Sequence, residues 1–122
     1  MSKKLALHCS QQMCELLADI LRQYADAAYP KGGSECSQSA RESLLMSADE
    51  IVSGWRTESQ STQMNKRLRT MAKTAIKYHA QSLTAEEGFP CRQRQACLLS
   101  VFAGEAIDDV GYHAAQQQDR MA

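Results

Sequence analysis

Between Gly54 and Thr62 the chain reads GWRTESQST, a run of polar side chains behind a glycine and a tryptophan that interrupts any helical periodicity on either side. Working outward, two further breaks of the same kind stand at YPKGGSEC (29–36) and TAEEGFPC (84–91). Three breaks divide the 122 residues into four segments, each with an apolar stripe at helical spacing. The first carries Leu5, Cys9, Met13, Leu16, Leu17, Ile20, Tyr24 and Ala27 at threes and fours and ends at Pro30 and Gly32-Gly33. The second, capped by Ser37 or Ser39, aligns Leu44, Leu45, Ala48, Ile51, Val52 and Trp55, with Gly54 suited to a left-handed turn at its end. The third, capped by Ser61 or Thr62, aligns Met64, Leu68, Met71, Ala72, Ala75, Ile76, His79 and Leu83. The fourth opens at Pro90 and aligns Ala96, Leu99, Phe102, Ala103, Ala106, Ile107, Val110 and Ala114.

Composition supports helix throughout. Two prolines, six glycines, six methionines and few aromatics argue against a strand-rich sandwich or barrel. A chain of this length forms one domain and buries roughly 65 to 70 per cent of its unfolded surface. Four long amphipathic segments joined by short links predict an all-α fold, an antiparallel up-down-up-down four-helix bundle over residues 1–122. Residues 116–122, where the apolar positions stop recurring, are expected to fray.

The formal net charge is zero, so electrostatic function must be local. Polar and acidic residues interrupt the N-terminal apolar run, so no signal peptide or membrane span is expected. Five cysteines in an irregular, odd-numbered set read as reduced thiols of a cytoplasmic protein and match no zinc spacing. His8, Cys9, Met13 and Cys14 group soft ligands on one stretch of the first segment, but Cys9 and Met13 lie on the core stripe, and no metal or other cofactor is expected. ExxH, HExxH, GxSxG and glycine-rich phosphate loops are absent, and His79 reads as a core-facing histidine, so no catalytic residue is assigned and no enzyme is expected.

The one asymmetric surface is NKRLRTMAKTAIKYH (65–79). Residues 61–83 hold Lys66, Arg67, Arg69, Lys73 and Lys77 and no acid, while the rest of the chain sums to minus five. Lys66, Arg69, Lys73 and Lys77, spaced three, four and four, form a ridge beside the apolar stripe. The plain expectation is that the ridge pairs, within or between subunits, with Glu42, Asp49 and Glu50 of helix two or Asp108 and Asp109 of helix four. The functional expectation is that it follows a phosphate backbone. On helix four, Cys97, Leu98, Val101, Gly104 and Gly111 form a second face, and two helical glycines at about 1 kcal/mol each suggest close approach by another copy and a homo-oligomer.

ADEIVSGWRTES (48–59), with Ile51, Gly54, Trp55 and a polar basic stretch to Ser59, resembles the four-helix-bundle family of ribosomal-RNA intervening-sequence proteins and diversity-generating-retroelement accessory proteins. The resemblance implies a ring-like oligomer, often a pentamer, whose basic surface contacts structured RNA and a reverse transcriptase, with no active-site residue carried over. The chain departs from the retroelement proteins, which are basic overall, in confining its positive charge to helix three. The expected function is that of a non-enzymatic, oligomeric accessory protein contacting RNA or a ribonucleoprotein along the ridge. The alternative is a small adaptor or inhibitor of mobile-element type that applies the same ridge to an acidic protein surface.

Overall fold

A computed structural model describes residues 3–122. Met1 and Ser2, included in the single expected domain, lie outside the described residues. The described residues are mostly helical, as expected, but they form five helices and a small sheet in place of four equal helices. The order is β1 (Lys4–His8), α1 (Gln11–Ala28), α2 (Glu35–Ser53), β2 (Ser61–Asn65), α3 (Arg69–Glu87), α4 (Arg92–Ser100) and α5 (Asp109–Met121). Short 3-10 turns at Lys66–Leu68 and Val101–Ala103 lead into α3 and out of α4.

Three expectations are corrected. First, residues 4–8 are a strand and not the opening turns of helix one. Leu5, Leu7 and Cys9 alternate inward, and the helix starts only where the Ser10 side chain accepts a hydrogen bond from the Met13 N–H (3.3 Å). Second, Ser61 and Thr62 do not cap helix three. They begin β2, which pairs antiparallel with β1 in a register running from Lys4 opposite Asn65 to His8 opposite Ser61. Thr62 and Met64 point into the core, and the Thr62 hydroxyl donates to the Ile51 carbonyl at 2.6 Å. Third, the fourth segment breaks. Gly104 takes φ +90, Ile107 bridges Cys9 beside β1, and Asp108 caps a separate α5 by accepting from the Gly111 N–H (2.7 Å). The expected frayed tail is instead the last turns of α5, where Asp119 is buried.

Gly54 differs as well. Its φ is −90, and what the position requires is space, because a Cβ there would stand 2.9 Å from the Glu50 carbonyl oxygen. Trp55 leaves the helix and donates its indole N–H to the Cys9 carbonyl (2.9 Å), tying the loop to the junction of β1 and α1.

α1 packs on α2 and α3, α3 on α4, and α4 on α5, with the sheet closing one end against α2. Leu7, Leu17, Ile20, Ile51, Met64, Ile76 and Phe102 meet in one core around a void of about 10 Å³, which leaves no room for a ligand. Among the described residues, no helix is long and apolar enough to cross a membrane.

Candidate nucleic-acid interface

α3 sits with Ala72, Ala75, Ile76 and Ala80 in the core and Thr70, Thr74, Lys77, Tyr78 and Gln81 in solvent. Small alanines let it settle deeply, so only one side of the helix remains on the surface. Along the border of that side run Arg69, Lys73 and Lys77, covering roughly 12 Å of helix axis. Arg69 and Lys73 are half-buried, while Lys77 is exposed. Lys66 and Arg67 project from the preceding 3-10 turn, which Asn65 caps by accepting from the Arg67 N–H (3.0 Å). The sheet adds a sixth cation. The Lys66 N–H donates to the Lys3 carbonyl at 3.0 Å, bringing exposed Lys3 to the head of the ridge.

The expected pairing of this ridge with the acids of helices two and four is not what the structure contains. Asp49 pairs with Arg22 (3.2 Å) and Glu50 with Lys4, while Glu42, Asp108 and Asp109 form no ion pair among the described residues. Among the described residues, none of Lys3, Lys66, Arg67, Arg69, Lys73 and Lys77 is within ion-pair distance of a carboxylate. Six cations are therefore left without an internal ion pair.

Sequence reasoning passed over Tyr78, although it stands beside Lys77 in the basic stretch. The residue is 38 % exposed and its ring rests against Tyr24 (centroids 5.7 Å apart, tilted 60°), which Tyr29 meets edge-on at 6.1 Å. An open groove of about 240 Å³ continues the line past Lys77, bounded by Gln81 and Thr84 of α3 and by Arg92 and Gln95 of α4.

The second expected face does not exist as a surface. Leu98 and Val101 are 1 % and 0 % exposed in the core, Cys97 is half-buried, Gly104 ends a turn, and Gly111 lies in the first turn of α5. The spacing that aligned them assumed one unbroken helix, and the break at Gly104 removes it.

A buried polar cluster, also missed, holds α4 and α5 in place. Arg94, 3 % exposed, makes a two-pronged pair with Glu87 (2.8 Å each), bonds Asp119 Oδ2 through Nε (2.9 Å) and approaches Cys91 Sγ (2.9 Å). Asp119 also accepts the backbone N–H groups of Gln93 (2.7 Å) and Arg94 (3.2 Å), so a side chain of α5 caps α4, whose own N-terminal residue supplies no cap. The hydrogen bonds from Arg94 hold the Glu87 carboxyl below its ordinary range. Burial acts to raise Asp119, but the Gln93 N–H and Arg94 outweigh it and keep the carboxyl low. Glu87 correspondingly holds the Arg94 guanidinium in its charged form. Burial, and then the positive charge of Arg94, lowers His79. Among the described residues no buried side-chain nitrogen or oxygen lacks a hydrogen-bond partner, those of this cluster included, which marks it as structural.

The soft ligands of the first segment also divide. His8 is exposed on the outer face of β1, while Cys9, Met13 and Cys14 are buried, the Cys14 thiol donating to the Ile51 carbonyl (3.3 Å). No protein-family model, curated protein or solved structure matches this chain.

Proposed function

We propose that this chain is a non-enzymatic binding protein that contacts RNA, free or within a ribonucleoprotein, through the ridge of Lys66, Arg67, Arg69, Lys73 and Lys77, extended by Lys3. One observation carries the reading. Among the described residues, no ridge cation stands within ion-pair distance of a carboxylate, so the ridge is a line of positive charge without an internal ion pair in a molecule of zero net charge. A line of cations of this kind binds by releasing counterions from phosphates, which gives affinity with little base preference. Cytoplasmic placement and an accessory role accompany this reading.

The test is a mobility shift with RNA across a salt series, comparing the natural chain with a variant in which Lys66, Arg69, Lys73 and Lys77 are all glutamine. The natural chain is expected to bind at low salt with a steep log-log salt slope. The variant removes up to four phosphate contacts, so its slope falls by up to about 3 on the single-strand coefficient. Absence of RNA binding by the natural chain at low salt would sink the proposal.

A further inference from the structure

Resting on that reading, we infer that the ridge takes single-stranded rather than duplex nucleic acid, and that Tyr78 stacks on one of its bases. The first argument is steric. A duplex is read in its major groove by a helix that enters the groove, and that groove, about 12 Å wide, is filled by a helix with its side chains. α3 offers a groove only one side, because Ala72, Ala75, Ile76 and Ala80 sink the other into the core and α1 and α4 pack against it. An A-form duplex closes that route too, since its major groove is deep and narrow, and its wide minor groove offers 2′-hydroxyls and base edges but no free base face to stack. A flexible strand has no such requirement and can lie along the exposed side.

The second argument is the chemistry of that side. Lys73 and Lys77 stand one turn apart and hold a sugar-phosphate backbone along one border of the exposed arc. Tyr78, about 100 degrees further round the helix, stands at the other border. Thr74 and Gln81 lie between them in solvent, with no bulky side chain to obstruct a base laid across the arc. Tyr78 is more than one-third exposed, and Tyr24, itself in edge contact with Tyr29, packs against its ring. An aromatic face beside a line of cations is the arrangement by which proteins hold single strands without sequence preference. A strongly apolar partner surface would fit this arc poorly, since Thr70, Thr74, Lys77 and Gln81 occupy most of it.

The experiment is fluorescence anisotropy with a labelled polyuridine RNA of twenty nucleotides and, separately, the duplex it forms with polyadenosine. Four proteins are compared: the natural chain, Tyr78→Ala, Tyr78→Phe, and Lys73→Gln with Lys77→Gln, each checked for an unchanged thermal melt. The natural chain is expected to bind the single strand at least tenfold more tightly than the duplex. Tyr78→Ala should weaken single-strand binding by about 5- to 150-fold with an unchanged salt slope, while Tyr78→Phe stays close to the natural chain. The double lysine variant should lose about 1.4 from the slope. Equal affinity for duplex and single strand, or a Tyr78→Ala protein that binds as the natural chain does while the lysine variant is impaired, would overturn the single-strand inference and leave the ridge proposal standing. Failure of the natural chain to bind either RNA would overturn both and favour an acidic protein as the partner of the ridge.

Discussion

Arg94 is held by partners three, seven and 25 residues away along the chain, Cys91, Glu87 and Asp119. A charge this deeply buried is tolerated only because each donor has an acceptor, and removal of one partner leaves the desolvation cost uncompensated. Asp119→Ala is expected to lower stability by about 3 to 5 kcal/mol in urea denaturation at neutral pH. Two effects combine there, since the substitution strips Arg94 of a counter-charge and the N-terminus of α4 of its cap. Asp119→Asn, which keeps an acceptor for the Gln93 N–H, should recover part of the loss. A loss under about 1 kcal/mol for the alanine variant would mean that Glu87 alone satisfies Arg94. None of this was legible beforehand, because the pairing depends on α5 folding back on the start of α4. In the sequence, Asp119 sits among polar residues that read as a tail. The ridge cations were legible because their spacing is local to one helix.

At the scale of elements, apolar periodicity found α1, α2 and α3 but not the strands. In KLALHC the inward residues Leu5, Leu7 and Cys9 fit a period of two, yet Leu5, Cys9 and Met13 also fit a period of four. Five residues cannot separate the two periods, and what decides the matter is β2, paired from more than fifty residues away. The same ambiguity placed Met64 on a helical stripe when it is an inward strand residue. The motif of Ile51, Gly54 and Trp55 has a packing explanation here, as a core side chain, a close approach to Glu50 and a hydrogen bond to Cys9. Ser10 marks the boundary between β1 and α1, and Ser10→Ala should cost about 1 kcal/mol in a chemical melt through loss of the cap on Met13. At Gly104 the left-handed φ of +90 ends the turn between α4 and α5. Gly104→Ala finds open space but a strained backbone, so a loss of about 1 to 2 kcal/mol is expected, whereas a continuous fourth helix would gain from alanine. A stabilised variant in the same melt would contradict the break.

Across the whole molecule the charges cancel, but their positions do not: residues 61–83 carry plus five and the remainder minus five. The acidic side contributes to stability through specific partners, and this sets the response to pH. Glu87 and Asp119 both titrate below their ordinary range in the folded chain, and His79 titrates below its own. For each of these groups the unfolded chain binds protons at a higher pH than the folded chain does. The stability they contribute is therefore present above the unfolded value and is lost as pH falls through the folded one. His79 acts first, from about pH 6.5 downward, because its burial near Arg94 disfavours the imidazolium. The two carboxyls follow at lower pH, where their protonation leaves Arg94 buried without counter-charge. Thermal melts between about pH 8 and pH 3 should show a stability plateau at the upper end and a decline in two stages. His79→Gln, which removes the titrating ring while keeping a polar side chain, should abolish the upper stage and leave the lower one. If the upper decline persists unchanged in that variant, the early acid sensitivity belongs to another group. If stability instead rises on acidification, the Arg94 cluster is not what holds α4 and α5 to the rest of the fold.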